Sequence, residues 1–193
     1  IKRIDAETAN ALAGKPAGIR IKANAIVDEA VIDALYRASQ AGVSIDIQVR
    51  GICALRPGVP GLSETIQVRS ILGRFLEHSR VYEFLNSGEP QVWIGSADLM
   101  HRNLDRRVEA LVRLDEADGQ TVSEVLDLAF ADSTSAWHLD SSGSWTRQVK
   151  DSVGNLLNDF QETLIKKHPV AKPAADNPMP RKLSTLLIRV GLR

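Results

Sequence analysis

The stretch GRFLEHSRVYEF sets His78 between two arginines, Arg74 and Arg80. Imidazole titrates near neutral pH and serves as nucleophile, general acid or base, or plain ligand. Guanidinium stays charged and offers a planar fork to phosphate oxygens, whereas lysine acts as a point charge. Two neighbouring guanidiniums oppose protonation of the ring, which favours a neutral His78 until an anion binds. Residues of the same kind recur elsewhere. Lys22 and Asn24 stand in RIKANAIVD, and Arg50 ends SIDIQVR just before Gly51. Ser96, Arg102 and Asn103 stand in WIGSADLMHRNLDRR, which also holds Arg106 and Arg107. Each charge-assisted hydrogen bond contributes about 1.5 to 3 kcal/mol, so three or four that converge suffice to hold a polyanion. Gly51 beside Arg50, and Gly95 beside Ser96, would let a bulky anion approach the backbone.

Plainer readings compete with these. A histidine between a helix and a strand is commonly a cap or a surface residue. RNLDRR by itself reads as a solvated turn in which Asp105 pairs with an arginine, and such surface pairs contribute little. His101, His138 and His168 show no ligand spacing to one another, which reads as structural or surface placement. Trp93, Trp137 and Trp145 suit a core or an interface better than a base-stacking platform.

For the polar residues to meet, the elements that carry them must end along one edge of a sheet, where open α/β folds place their ligands. Alternation in GIRIK and in VSIDIQVR predicts two half-buried strands. The segment between them predicts a helix capped by Asp28 and stopped at Gly42, with Val31, Ala34, Leu35 and Ala38 on its inner face. A strand, helix, strand unit argues for a parallel pair. GICALRPGVPGL predicts a long loop after the second strand. Val68, Ile71, Leu72, Phe75 and Leu76 then recur at helical spacing, which predicts a second helix delivering His78 to the sheet edge. RVYEF and QVWIGS predict strands joined through LNSGEP. RRVEALVRL predicts another strand with Val108, Ala110, Val112 and Leu114 inward, so the sheet is mixed. A helix is expected from Thr121 to about Asp132, with a Thr121/Glu124 capping box and a stripe of Val122, Val125, Leu126, Ala129 and Phe130. A last helix is expected over SVGNLLNDFQETLIKKH, with Val153, Leu156, Leu157, Phe160 and Leu164 on one face. Beyond His168, PVAKPAADNPMPRK has four prolines and no periodicity. Residues 1–168 therefore read as one domain and 169–193 as a proline-rich linker and C-terminal tail.

The chain has 193 residues, of which 44% are hydrophobic and 25% charged, a composition sufficient for one real core. Lys plus Arg and Asp plus Glu number 24 each, so no net field attracts nucleic acid, and no nucleic-acid partner is expected. A single cysteine, Cys53, cannot form an internal disulfide and fits a reducing cytoplasm. No apolar run approaches the roughly 18 residues of a membrane helix. Cytoplasmic placement follows, with peripheral membrane contact left open. The chain opens at Ile1 without methionine, which admits a piece of something longer. No phosphate loop GxxxxGK[ST], no GxGxxG after the first strand, no HExxH, no paired CxxC and no GxSxG occurs. A conventional nucleoside triphosphatase or a zinc enzyme is disfavoured.

KANAIVD, ASQAGVSIDIQVRGICALRPGVPGLSETIQVRSILGRFLEHSRVY and IGSADLMHRNLDRRVEALV, in this order and spacing, resemble the C-terminal catalytic domain of bacterial polyphosphate kinase, the first of two unrelated types. The resemblance covers about residues 18 to 165. It implies a phospholipase D-like α/β fold, a mixed β-sheet flanked by helices and used twice in the intact enzyme. It implies reversible transfer of the terminal phosphate of ATP, with Mg2+, onto inorganic polyphosphate through a phosphohistidine in a preceding domain. ATP or ADP, polyphosphate and that preceding catalytic domain are the partners it implies, in a homo-oligomer that is often membrane-associated. Carried over by position, His78 matches an active-site histidine that is a candidate proton donor to the leaving group, and Arg50 matches an arginine on the nucleotide phosphates. Lys22, Asn24, Arg80, Ser96, Arg102 and Asn103 match patterned positions with phosphate-binding or site-shaping roles. No metal ligand is expected in this chain.

True phospholipase D enzymes carry HxK followed after four residues by aspartate. Here Arg80 stands for the lysine and Leu85 for the aspartate, which counts against a self-contained phosphodiesterase. Three readings follow: a kinase half-site; a stand-alone polyphosphate- or nucleotide-binding module without chemistry; and, last, a phospholipase D-like phosphodiesterase completed by dimerisation.

Overall fold

Alternation of apolar and polar residues builds the centre of the sheet. β1 (Gly18–Ala23) buries Ile19, Ile21 and Ala23 on one face and places Arg20 and Lys22 on the other. β2 (Ser44–Val49) repeats the pattern, with Ile45, Ile47 and Val49 against Asp46 and Gln48. The two strands pair in parallel, Ile19 opposite Ile45 and Ala23 opposite Val49. The helix that joins them, α2 (Glu29–Gln40), is capped as expected: the Asp28 side chain accepts from the Val31 N–H at 3.0 Å. Val31, Ala34, Leu35 and Ala38 face inward. The computed structural model describes residues 1–168; the linker and tail expected over 169–193 lie outside the described residues.

A helix that periodicity did not reveal, α1 (Lys2–Leu12), packs beside α2 and adds Ile4 to the core. Its Glu7 is 1% exposed and accepts from the backbone N–H groups of Gly18 and Asn86, fixing the helix to the sheet.

The predicted second helix does not form. Residues Ile66–Ser70 are instead β3, parallel to β2, with Ile47 opposite Val68. Ile66, Val68 and Ser70 alternate with Gln67 and Arg69, and a short apolar run reads equally well at either period. Of the rest of the supposed helical face, Ile71 is buried just past the strand, whereas Leu72, Phe75 and Leu76 are exposed on an irregular segment. β4 (Val81–Phe84) and β5 (Gln91–Gly95) form the expected antiparallel pair, joined by a short 3-10 turn at Asn86–Gly88.

A one-turn helix, α3 (His101–Leu104), leads to β6. β6 is shorter than predicted, Leu111–Arg113, and all three residues are exposed, so the inward stripe from Val108 to Leu114 is not realised. α4 (Glu116–Phe130) starts five residues before the expected Thr121, because Asp115 takes the cap and accepts from the Asp118 N–H at 2.9 Å. A further antiparallel pair, β7 (Ala136–Leu139) and β8 (Trp145–Gln148), was not anticipated. α5 is confined to Phe160–Lys167, capped by Asp159; Val153 and Leu156 lie exposed in the turn before it.

The eight strands run in the order β6-β5-β4-β1-β2-β3-β7-β8 in one mixed sheet. α1 and α2 cover the apolar face of the central strands, and α4 packs Leu126 against Val81 and Val92 of the opposite face. On that second face Arg20 pairs with Glu83 and Asp127, and Glu83 accepts from Ser123, so its charges are matched. No helix among the described residues is long and apolar enough to cross a membrane.

Candidate functional site

Strand direction gathers the predicted residues. β1, β2 and β3 are parallel, β4 is antiparallel to β1, and β5 is antiparallel to β4. The carboxyl ends of β1, β2, β3 and β5 and the amino end of β4 therefore share one edge. β3 and β4 lie on opposite sides of β1 and β2, so residues 71–80 cross the ends of both central strands. A loop, not a helix, carries His78 to this edge.

The loop is held by one side chain. Gln161 of α5, 6% exposed, accepts from the Phe75 N–H and donates to the Phe75 carbonyl, both at 2.8 Å, and also donates to Glu77 at 2.7 Å. Glu77 pairs with Lys22 at 2.9 Å, and the Lys22 ammonium donates to Ser79 at 2.8 Å. Lys22 is thus a buried, neutralised anchor of the loop and not a free phosphate ligand.

At the centre of the edge sits Asp98, a residue that no sequence signal singles out beyond its place in IGSADL. It is 3% exposed. Its carboxylate accepts from the Asn24 backbone N–H at 2.8 Å and side chain at 3.1 Å, and from Arg80 through Nε at 3.3 Å and a terminal nitrogen at 3.1 Å. Burial alone would raise this carboxyl, but the Arg80 and Asn24 hydrogen bonds outweigh it and hold it below the usual carboxylate range. With its donors engaged by Asp98, Asn24 keeps one polar atom for the next residue: its side-chain oxygen accepts from Arg50 Nε at 3.0 Å. Among the described residues the two terminal nitrogens of Arg50 make no hydrogen bond, and Arg50 is half-buried.

Arg80 spends its fork inside the protein. The nitrogen not bound to Asp98 donates to the His78 carbonyl at 2.9 Å and lies 3.2 Å from His78 Nδ1. Guanidinium can only donate, so Nδ1 accepts and the neutral ring carries its proton on Nε2. Arg74 does not join this cluster; its guanidinium lies 5.6 Å from the ring centre of Phe75.

Ser96 and Asn103 belong to an adjoining group around Glu109. Ser96 donates to one Glu109 oxygen, and Asn103 donates to the other at 2.6 Å; these two bonds hold the Glu109 carboxyl low. Arg102 is exposed on α3 and is brought to neither group. The glycines do not open the edge as expected. A Cβ on Gly51 would stand 3.0 Å from the Asn24 carbonyl oxygen, and one on Gly95 2.5 Å from that of Ala110, so both serve close backbone packing. Trp93 packs against the core, with the Arg3 guanidinium 5.7 Å from its ring centre, as expected for a core or interface role.

A mixed sheet whose carboxyl edge carries the free ends of an arginine and a histidine, each linked through one neighbour to a single buried aspartate, defines an α/β domain with an edge suited to anions. The family model described as polyphosphate kinase C-terminal domain 2 matches residues 1–157. The chain belongs to the polyphosphate kinase family. It is 60% identical over 166 residues to the polyphosphate kinase of Streptomyces coelicolor, covering 86% of this chain and 22% of that protein. It is 52% identical over 172 residues to that of Mycolicibacterium gilvum, covering 88% and 23%. The crystal structure of the polyphosphate kinase from Porphyromonas gingivalis superposes with a TM-score of 0.80 at 35% identity, covering 86% of this chain and 25% of that one. The chain spans about a quarter of the length of these relatives.

Proposed function

We propose that this chain is the part of a polyphosphate kinase that grips the phosphates of ATP while its terminal phosphate is transferred, reversibly, to inorganic polyphosphate. The observation that carries the reading is the division of labour at the sheet edge. Arg50 is fixed through Nε by Asn24 and keeps its two terminal nitrogens available, the form of guanidinium that binds phosphate in a bidentate manner. At the same edge, the loop that crosses the strand ends carries His78, with Nε2–H left to donate to a phosphate oxygen.

The transferred phosphoryl group passes through a transition state whose charge is spread over its oxygens, so fixed donors at that position accelerate the step without covalent chemistry of their own. Arg80 occupies Nδ1 of His78 as a donor, which leaves Nε2 as the ring nitrogen that faces a ligand. Proton delivery to the leaving group then requires Arg80 to release Nδ1. The nucleophilic histidine that carries the phosphate belongs to a preceding domain, in an enzyme that assembles as a homo-oligomer in the cytoplasm. Asp98, Glu77 and Glu109 are each committed to protein donors and do not make up an oxygen cage for Mg2+. The octahedral oxygen set that this ion requires is the kind supplied by ATP phosphates and water.

The test is a chimera: the polyphosphate kinase of Streptomyces coelicolor with its matching segment replaced by this chain. ATP-dependent synthesis, followed by phosphorus NMR, should persist. A folded chimera that binds ATP and makes no polyphosphate would instead support a binding module.

A further inference from the structure

Outside the network centred on Asp98, a second group of side chains converges where the entry to α2 meets α3. The Asp28 and Asp105 carboxylates approach the same nitrogen of His101: Oδ2 of Asp28 lies 3.1 Å from Nδ1 and Oδ2 of Asp105 lies 3.3 Å from it. The other ring nitrogen, Nε2, lies 2.6 Å from Glu29 Oε2. One donor atom each from Asp28, His101 and Asp105 falls within 4.8 Å of the others.

The backbone holds this arrangement together. The N–H groups of Val27 and Asp28 both donate to the Leu99 carbonyl, at 2.9 and 3.1 Å, and Leu99 N–H donates back to Ala25 at 3.2 Å. Asp28 is 6% exposed, and its Oδ1 is committed to the α2 cap, so only Oδ2 faces the imidazole and its direction is fixed.

A ring with its proton on Nε2 donates to Glu29, which leaves Nδ1 unprotonated within 3.1 and 3.3 Å of two carboxylate oxygens. Three electron-rich atoms gathered this closely call for a positive charge among them. The carboxylate on the far nitrogen is the outer-shell partner that fixes the tautomer and orientation of metal-bound histidines. One imidazole nitrogen with two carboxylate oxygens suits zinc and similar cations, whereas Mg2+ prefers oxygen alone. Three protein ligands also leave a position for water or another ligand.

We propose that Asp28, His101 and Asp105 form a three-ligand site for a divalent cation of the zinc type, with Glu29 holding the ring. The site would tie α3 to the entry of α2, three residues after Asp98, and it does not depend on the kinase reading.

The test is titration of the full chain, free of any purification tag, with ZnCl2 by calorimetry and with CoCl2 by visible absorption. One cation per chain is expected, with a cobalt spectrum of low coordination number. His101→Ala should abolish binding; this residue is exposed, so the fold should survive, as circular dichroism would confirm. Glu29→Gln should weaken binding about tenfold or more. Asp28→Asn, which keeps a good cap, should weaken it as well, while His138→Ala should leave it unchanged. Absence of saturable binding, or binding that survives both His101→Ala and Asp105→Asn, would show an ion-pair cluster only and overturn the proposal.

Discussion

Asp98 grips Arg80 and Asn24 at the same time, and through Asn24 it sets the position of Arg50. His78 and Arg50, 28 positions apart in sequence, are therefore joined by one unbroken run of hydrogen bonds through Arg80, Asp98 and Asn24. The buried carboxylate comes from the loop after β5 and holds Arg80 rather than the histidine.

Arg50→Lys tests the fork. An ammonium can keep the charge but cannot make two parallel hydrogen bonds to phosphate while also bonding Asn24. In the chimeric kinase the KM for ATP should rise roughly tenfold, the equivalent of one lost charge-assisted bond. An unchanged ATP dependence would count against the assignment.

His78→Ala should abolish polyphosphate synthesis in the same chimera. The side chain is exposed, and among the described residues its one side-chain hydrogen-bond partner is Arg80, so thermal stability should stay within about 0.5 kcal/mol of the parent. Turnover near that of the parent would remove His78 from the reaction.

Asp98→Asn keeps the shape and removes the charge that pairs with Arg80. A loss of roughly 1 to 3 kcal/mol in urea unfolding is expected, because buried donors lose their charged acceptor. An accompanying rise in the KM for ATP would show that the loosening reaches Arg50; unaltered stability and KM together would deny Asp98 its bracing role.

The same carboxylate gives a pH signature. Its folded-state pKa is held below the unfolded value of about 3.9, so its contribution is complete above that value and is lost as pH falls through the folded one. Between about pH 5 and pH 2 the parent should lose more stability than Asp98→Asn. Parallel acid limbs in the two proteins would contradict the linkage.

Gln161→Ala should release the crossing loop. The Phe75 amide loses its acceptor and Glu77 a donor, for a cost of about 1 kcal/mol per bond. Faster hydrogen exchange at Phe75, with strand amides of β1 and β2 unaffected, is the expected local readout. Unchanged exchange there would mean that other contacts hold the loop.

Local pattern along the chain is enough for the parallel β1-α2-β2 unit, the β4-β5 pair, the mixed sheet and the choice of Arg50 and His78. Strict alternation and an Asp28 cap are local signals, each readable within a dozen residues. Long gap-free motifs added the polyphosphate kinase resemblance. What those residues do for one another emerges only from folding. Whether Ile66–Ser70 is a strand or a helix depends on whether β2 offers it a free edge, which no local period records. Lys22, Arg80, Ser96 and Asn103 looked like phosphate ligands because charge and polarity are visible in sequence, whereas their partners Glu77, Asp98 and Glu109 are set by folding. A charge exposed to solvent and a charge paired inside the protein are spelled alike, and only the folding that brings a carboxylate within hydrogen-bonding reach separates a ligand from a brace.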